Sequence, residues 1–238
     1  MTDSIATHGW TAQPRDVSIL LSGKKNIKLP EPVKVEDIPL PDSQLAKEVM
    51  EYAKKELREE TFNHSMRVYY YGMAIKTQQF PSWRLSSETY LLTCVLHDIG
   101  TTEKNISATL MSFEFYGGLI ALDLLHKQCH APIEQAEAVS EAVIRHQDIG
   151  ESGKITELGQ LVQLATIFDN MGGHADLVHK ETIENVVKHF PRKKWSSCFA
   201  ATIRQENRLK PWAHTTALGE KEFPEGVEGN ELMAPFDV

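Results

Sequence analysis

The sequence predicts an all-α bundle. Apolar residues recur every three or four positions from residue 42 onward, and no alternating polar–apolar run extends beyond a few residues. Taken in order, residues 1–41 carry Pro14, Pro30, Pro32, Pro39 and Pro41, and "LPEPVKVEDIPLPD" reads as an extended, polyproline-like N-terminal arm. Asp42 or Ser43 offers an N-cap, after which Leu45, Val49, Tyr52, Ala53 and Leu57 form one helical stripe. Further helices are expected over residues 61–80, 86–99, 112–127, 132–147, 157–171, 180–189 and 196–207. That makes a domain of roughly seven or eight helices in residues 42–218. From Gly219 the segment "GEKEFPEGVEGNELMAPFDV" is acidic and rich in Gly and Pro, and is expected to be an irregular or loose tail.

A chain of 238 residues suits one good core with flanking segments. Its 25 basic and 33 acidic residues give a net charge of -8, a field that repels nucleic acid and anionic membrane. Three cysteines, Cys94, Cys129 and Cys198, lie far apart without CxxC spacing, as expected of free thiols in a reducing compartment. The first twenty residues lack a basic-then-apolar signal pattern, and no apolar run approaches the ~20 residues that span a bilayer. The expectation is a soluble, cytoplasmic protein, with the nucleus as the alternative, acting on a small molecule and binding neither nucleic acid nor membrane. Assembly into a homo-oligomer is left open.

Ionisable residues on the apolar faces of these helices point to chemistry, because burying such a group is costly unless it is paired or bound to metal. His64 heads the face His64, Val68, Tyr71, Ile75; Asp98 shares a face with Leu91, Cys94 and Val95, and His97 flanks it. Asp169 follows Leu158, Leu161, Val162 and Ala165, and His146 follows Val139, Ala142 and Val143. Each has an ordinary explanation alone: a satisfied core histidine, an aspartate capping the turn "NMGG", a histidine at a helix C-terminus. Together they would need four separate polar sites in one core. One cation near the bundle centre satisfies His64, His97, Asp98 and Asp169 at once.

The order H…HD…D in His64, His97–Asp98 and Asp169 resembles the HD-domain superfamily of metal-dependent hydrolases. The strings "NHSMRVYYYG", "VLHDIGTT", "MSFEFYGG", "EAVIRHQD", "LGQLVQLATIFDN" and "KPWAHTT" are similar to one branch of it, the fungal cyanamide hydratases (urea hydro-lyases), across residues 42–218; "GWTAQP" resembles that branch too. The resemblance implies zinc, with iron or manganese as alternatives, and hydration of cyanamide to urea, a detoxification. Zinc held by two imidazoles and two carboxylates lowers the pKa of a bound water toward ~7, making hydroxide available to attack the nitrile carbon. His146 is then the expected proton donor or shuttle, with Asn63 and Thr166 offering hydrogen bonds. Asn170 could do the same, or could instead cap its helix ahead of "MGG". Gly100 is expected to end the helix carrying His97 and let the chain turn away, and His214 in "KPWAHTT" stands out from the remaining histidines.

Two other readings compete. A nucleotide phosphohydrolase would draw on Arg67, Lys104 and Arg145 as phosphate-binding cations, whereas Phe113, Phe115 and Tyr116 could wall a pocket too narrow for a nucleotide. A non-catalytic HD scaffold predicts a missing ligand, and none of the four is missing.

Overall fold

Two helices, buried on nearly every side, form the axis of the molecule. The structure, a computed structural model, describes residues 3–22 and 28–238. Its N-terminal part holds α1 (Asp3–Thr7), β1 (Ala12–Pro14) and α2 (Val17–Ser22). The bundle follows with α3 (Gln44–Glu56), α4 (Glu59–Gln79), α5 (Ser87–Leu96), α6 (Glu103–Ser107), α7 (Phe113–Leu122) and α8 (Ile133–Arg145). Then come β2 (Lys154–Thr156), α9 (Glu157–Met171), α10 (Lys180–His189), α11 (Trp195–Leu209) and α12 (Glu222–Glu228). Helices thus cover the expected spans to within a few residues. The stretch expected to run to 127 does so by passing from α7 into a π turn at Asp123–Gln128.

Fourteen of the 21 residues of α4 and thirteen of the 15 of α9 are buried, which makes these two the axis around which the others pack. An amphipathic helix would bury a stripe, and α3 does, through Ala46, Val49 and Ala53, with Ser43 capping it by accepting from the Ala46 N–H at 3.0 Å. Helix α4 begins with Glu59 and Glu60, carboxylates that favour the positive end of its dipole. Gly172, at φ 70°, terminates α9 in the left-handed conformation, its N–H bonding back to the Phe168 carbonyl.

The flanking segments are more structured than the sequence suggests. In the N-terminal arm, β1 pairs antiparallel with β2, Ala12 opposite Thr156, fastening the arm to the start of α9. Between Lys28 and Val35 the extended backbone is tied down by side chains: Gln79 and Gln78 hold Lys28 and Glu31, while Thr182 and Asn185 of α10 accept from Val33 and Val35. Residues 1, 2 and 23–27 of the expected arm lie outside the described residues. The expected irregular tail forms α12 and a 3-10 turn at Ala234–Phe236, because Phe223, Val227 and Met233 are apolar residues with a core to enter. Among the described residues no helix is long and apolar enough to cross a membrane.

Gly100 has an ordinary negative φ, so it is needed for space and not for a turn. A Cβ there would lie 2.0 Å from the Phe113 carbonyl oxygen, a backbone atom that cannot swing aside. Gly100→Ala should therefore lower stability by about 2–3 kcal/mol through overpacking, read as a shift in the urea midpoint; an unchanged midpoint would show the close approach to be dispensable.

Candidate metal centre

Three histidines and one aspartate reach a common point from three helix ends. His64 lies in the second turn of α4, His97 is the C-cap of α5, and Asp98 follows in the turn before Ile99–Thr101. His146 is the C-cap of α8. All four side chains are buried.

Each imidazole is held by its Nδ1. That of His97 faces the Cys94 carbonyl at 2.7 Å, and that of His146 the Val143 carbonyl at 2.6 Å. Carbonyl oxygens only accept, so both Nδ1 atoms carry hydrogen. His64 Nδ1 lies 2.6 Å from Asp169 Oδ2. Burial opposes charge on Asp169, but Arg67 and Arg192 outweigh it and hold the carboxyl well below the usual carboxylate range, so His64 also donates from Nδ1. Burial pushes His64 and His146 down to about 4, so both are neutral near pH 7 with a bare Nε2. On His97 burial acts in the same direction, but the adjacent Asp98 carboxylate and the Cys94 carbonyl prevail and raise its pKa.

The Nε2 atoms of His64 and His97 are 3.2 Å apart, and those of His64, His97 and His146 lie 3.7, 3.2 and 3.8 Å from carboxylate oxygens of Asp98. Two facing lone pairs repel unless a proton or a cation sits between them. Both Asp98 oxygens are buried and accept no hydrogen bond. An orphaned carboxylate beside imidazole lone pairs is the donor set of a divalent transition metal. His64, His97 and Asp98 offer ligand atoms within 4.8 Å of one another and could hold one ion.

Asp169 is placed otherwise than expected. Its oxygens are taken by Arg67 Nε and Nη2, Arg192 Nη1 and His64 Nδ1, all within 3.2 Å, so it stands behind His64 and outside the group of three. Asn63 is also misplaced by the sequence reading: its amide donates to the Pro191 carbonyl, and it does not line the cavity described next.

A cavity of about 270 Å³ opens onto this point. His97, Asp98, His146, Gln147, Thr166 and Asn170 line its polar end; Ile149, Ile167, Met171, Phe199, Leu218 and Phe223, with Glu222, line the rest. Thr166 donates to the Gln163 carbonyl, and Asn170 Oδ1 accepts from Trp195 Nε1 at 2.7 Å; Gly172, not Asn170, caps the helix. The aromatic wall comes from Phe199 and Phe223 and not from the "MSFEFYGG" segment. Phe113 only backs His146, at 5.6 Å between rings, Phe115 stacks on His214, and Tyr116 is not among the lining residues. Trp195 stacks on His64 at 4.3 Å and Phe199 on Trp195 at 5.0 Å, giving that histidine one fixed ring orientation. Gln147, Arg192, Trp195, Phe199 and Phe223 escaped the sequence reading. Only Gln147, adjacent to His146, carried a positional signal.

Residues 61–171 match the HD domain family, a span that opens just before His64 and closes just after Asp169. Cyanamide hydratase DDI2 and cyanamide hydratase DDI3, both of Saccharomyces cerevisiae, are each 44% identical to this chain over 216 residues, 91% of this chain and 94% of theirs. The chain belongs to the cyanamide hydratase family. Likeness to its cyanamide hydratase relatives, over 216 residues, runs well beyond residues 61–171.

His214, from the family-like string "KPWAHTT", does not line the cavity. Its Nδ1 meets Glu114 Oε1 at 2.8 Å, and that hydrogen bond raises the His214 pKa above 6.5. Since the folded value is raised, the pair stabilises the fold fully below pH 6.5 and loses that contribution as pH rises through the folded pKa. An NMR titration should place His214 above 6.5, and Glu114→Gln should bring it down. A wild-type value at or below 6.5 would contradict the pairing.

Proposed function

We propose that this chain hydrates cyanamide to urea with a zinc ion held by His64, His97 and Asp98, iron and manganese being the alternatives. One observation carries the reading: imidazole lone pairs and an orphaned carboxylate meet at the end of a cavity that, among the described residues, no Lys or Arg lines. The names of the relatives point to the same substrate. The donor set fits the metal, and when bound it supplies the Lewis acidity that makes water a nucleophile near neutral pH.

Cyanamide is small and uncharged, so it needs hydrogen-bond partners and not an anion clamp. Addition of water across the nitrile puts oxygen on carbon and one proton on the terminal nitrogen, giving an isourea that tautomerises to urea. His146, held by Val143 at Nδ1, presents Nε2 to the cavity and moves that proton, accepting it from water and returning it to nitrogen. Thr166, its hydrogen given to Gln163, presents oxygen lone pairs to the substrate amine. Asn170, with Oδ1 taken by Trp195, offers amide N–H groups to the developing charge. Asp169 orients His64 and stands outside the coordination sphere.

The phosphohydrolase alternative loses its cations. All three nitrogens of Arg67 are engaged by Asp169, Phe190 and Pro191; Arg145 pairs with Glu141 and Asp148; and Lys104 does not reach the cavity.

Purified protein should carry one metal ion per chain and form urea from cyanamide. Asp98→Ala should lose the metal and the activity together. His146→Ala should keep the metal and lose about a hundredfold or more in kcat, the usual size of a general acid–base contribution. Phosphate release from nucleotides without urea formation would reverse the assignment, and loss of metal from His146→Ala would make His146 a ligand.

A further inference from the structure

The mechanism makes no use of Asp237, yet its half-buried carboxylate closes a charge network whose other members are buried and that ends on His64. Arg192, fully buried, spends all three guanidinium nitrogens: Nη1 on the Asp169 carboxylate and carbonyl at 2.9 and 3.0 Å, Nη2 on Ser196 Oγ at 3.1 Å, and Nε on Asp237 Oδ1 at 3.1 Å. Arg67 grips the other side of Asp169. Two guanidinium groups against Asp169 alone would leave a surplus positive charge in the interior, one residue away from the imidazole whose far nitrogen faces the metal position. Asp237 makes the count even.

The same carboxylate has a second hold on His64. Oδ2 of Asp237 accepts from the Ser196 N–H at 3.2 Å, in the first turn of α11, a helix whose own N-cap residue, Lys194, supplies no side-chain cap. Trp195 in that turn is the ring stacked on His64. Asn230, from the same C-terminal segment, donates to the Asp169 carbonyl at 3.1 Å, and Phe223 of α12 lines the cavity. Both routes, through Arg192 and Asp169 to Nδ1 and through α11 and Trp195 to the ring face, converge on one imidazole.

We infer that Asp237 is a positioning residue of the metal centre, acting on His64 by neutralising Arg192 and capping α11. The inference rests on the reading that His64 is a metal ligand. Partners beyond the ligands themselves alter metal affinity by about 10–100-fold when removed, and an unbalanced buried charge opposes a cation nearby.

The test is zinc affinity, measured by titration in chelator-buffered zinc, on the full chain well below its melting temperature. Asp237→Ala should weaken zinc binding about tenfold, and Asp237→Asn, which keeps an acceptor oxygen but not the charge, should weaken it less. Asp237→Glu should restore most of the affinity. Val49→Ala, a core truncation in α3 away from the network, serves as the control for lost stability and should leave affinity within about twofold, as for sites too far apart to couple. Should Asp237→Ala fail to fold, the comparison rests on Asp237→Asn. Wild-type affinity in the Asp237 variants, or equal weakening by Val49→Ala, overturns the inference. If the wild-type chain binds none of zinc, iron and manganese, the metal site itself is wrong; neither result depends on urea formation.

Discussion

The carboxylate of Asp169 is the hinge of the interior. Four donor nitrogens, three from His64 and Arg67 of α4 and one from Arg192 in the connection after α10, converge on its two oxygens, none of them in contact with water. A charge there would be prohibitively costly alone, and pairing it inside a protein returns little net stability. What the arrangement provides is direction. An imidazole that must donate from Nδ1 has only Nε2 to offer elsewhere, and the stacked Trp195 removes the remaining rotation. His97 and His146 receive the same treatment from main-chain carbonyls, so three rings present the same atom to the same region.

This arrangement separates the tasks of the cavity. Four side chains of the polar end are already held on one side by something else: His97 by Cys94, His146 by Val143, Thr166 by Gln163 and Asn170 by Trp195, while Asp98 keeps both oxygens unpaired. The apolar end is shared: Ile149, Ile167 and Met171 come from within the HD span, and Phe199, Leu218 and Phe223 from α11, α12 and the turn between them, which lie outside it. The HD span therefore places the whole donor set and half of the apolar wall, and the flanking helices close the other half.

Much of this was legible in the sequence, for a definite reason. Periodicity reports which face of a helix is buried, so His64, Asp98 and Asp169 could be assigned inward before any partner was known. What periodicity omits is the partner. Asp169 points inward as expected, but whether it meets a cation or a guanidinium depends on Arg192, which sits in a non-helical connection beside two other basic residues with nothing to distinguish it. The C-terminal segment was obscured by composition: its glycines and glutamates dilute Phe223, Val227 and Met233, three residues that suffice to dock a short helix. Gly100 was noticed, but its purpose, admitting a backbone carbonyl from α7, is a tertiary fact that no local rule contains.

The pairing of β1 with β2, three residues on each side, looks minor beside the helices. It joins Ala12 to Thr156, while His64 meets Asp169 across 105 residues and Arg192 meets Asp237 across 45. Contacts so distant in the chain impose a loop-closure cost before they return anything, so they form late. Helices α4, α5 and α9 can each acquire their shape locally, but the donor set cannot exist in any one of them. The complete donor set is thus a property of the nearly finished chain, and a nascent or partly unfolded copy would offer scattered side chains in place of a preformed site.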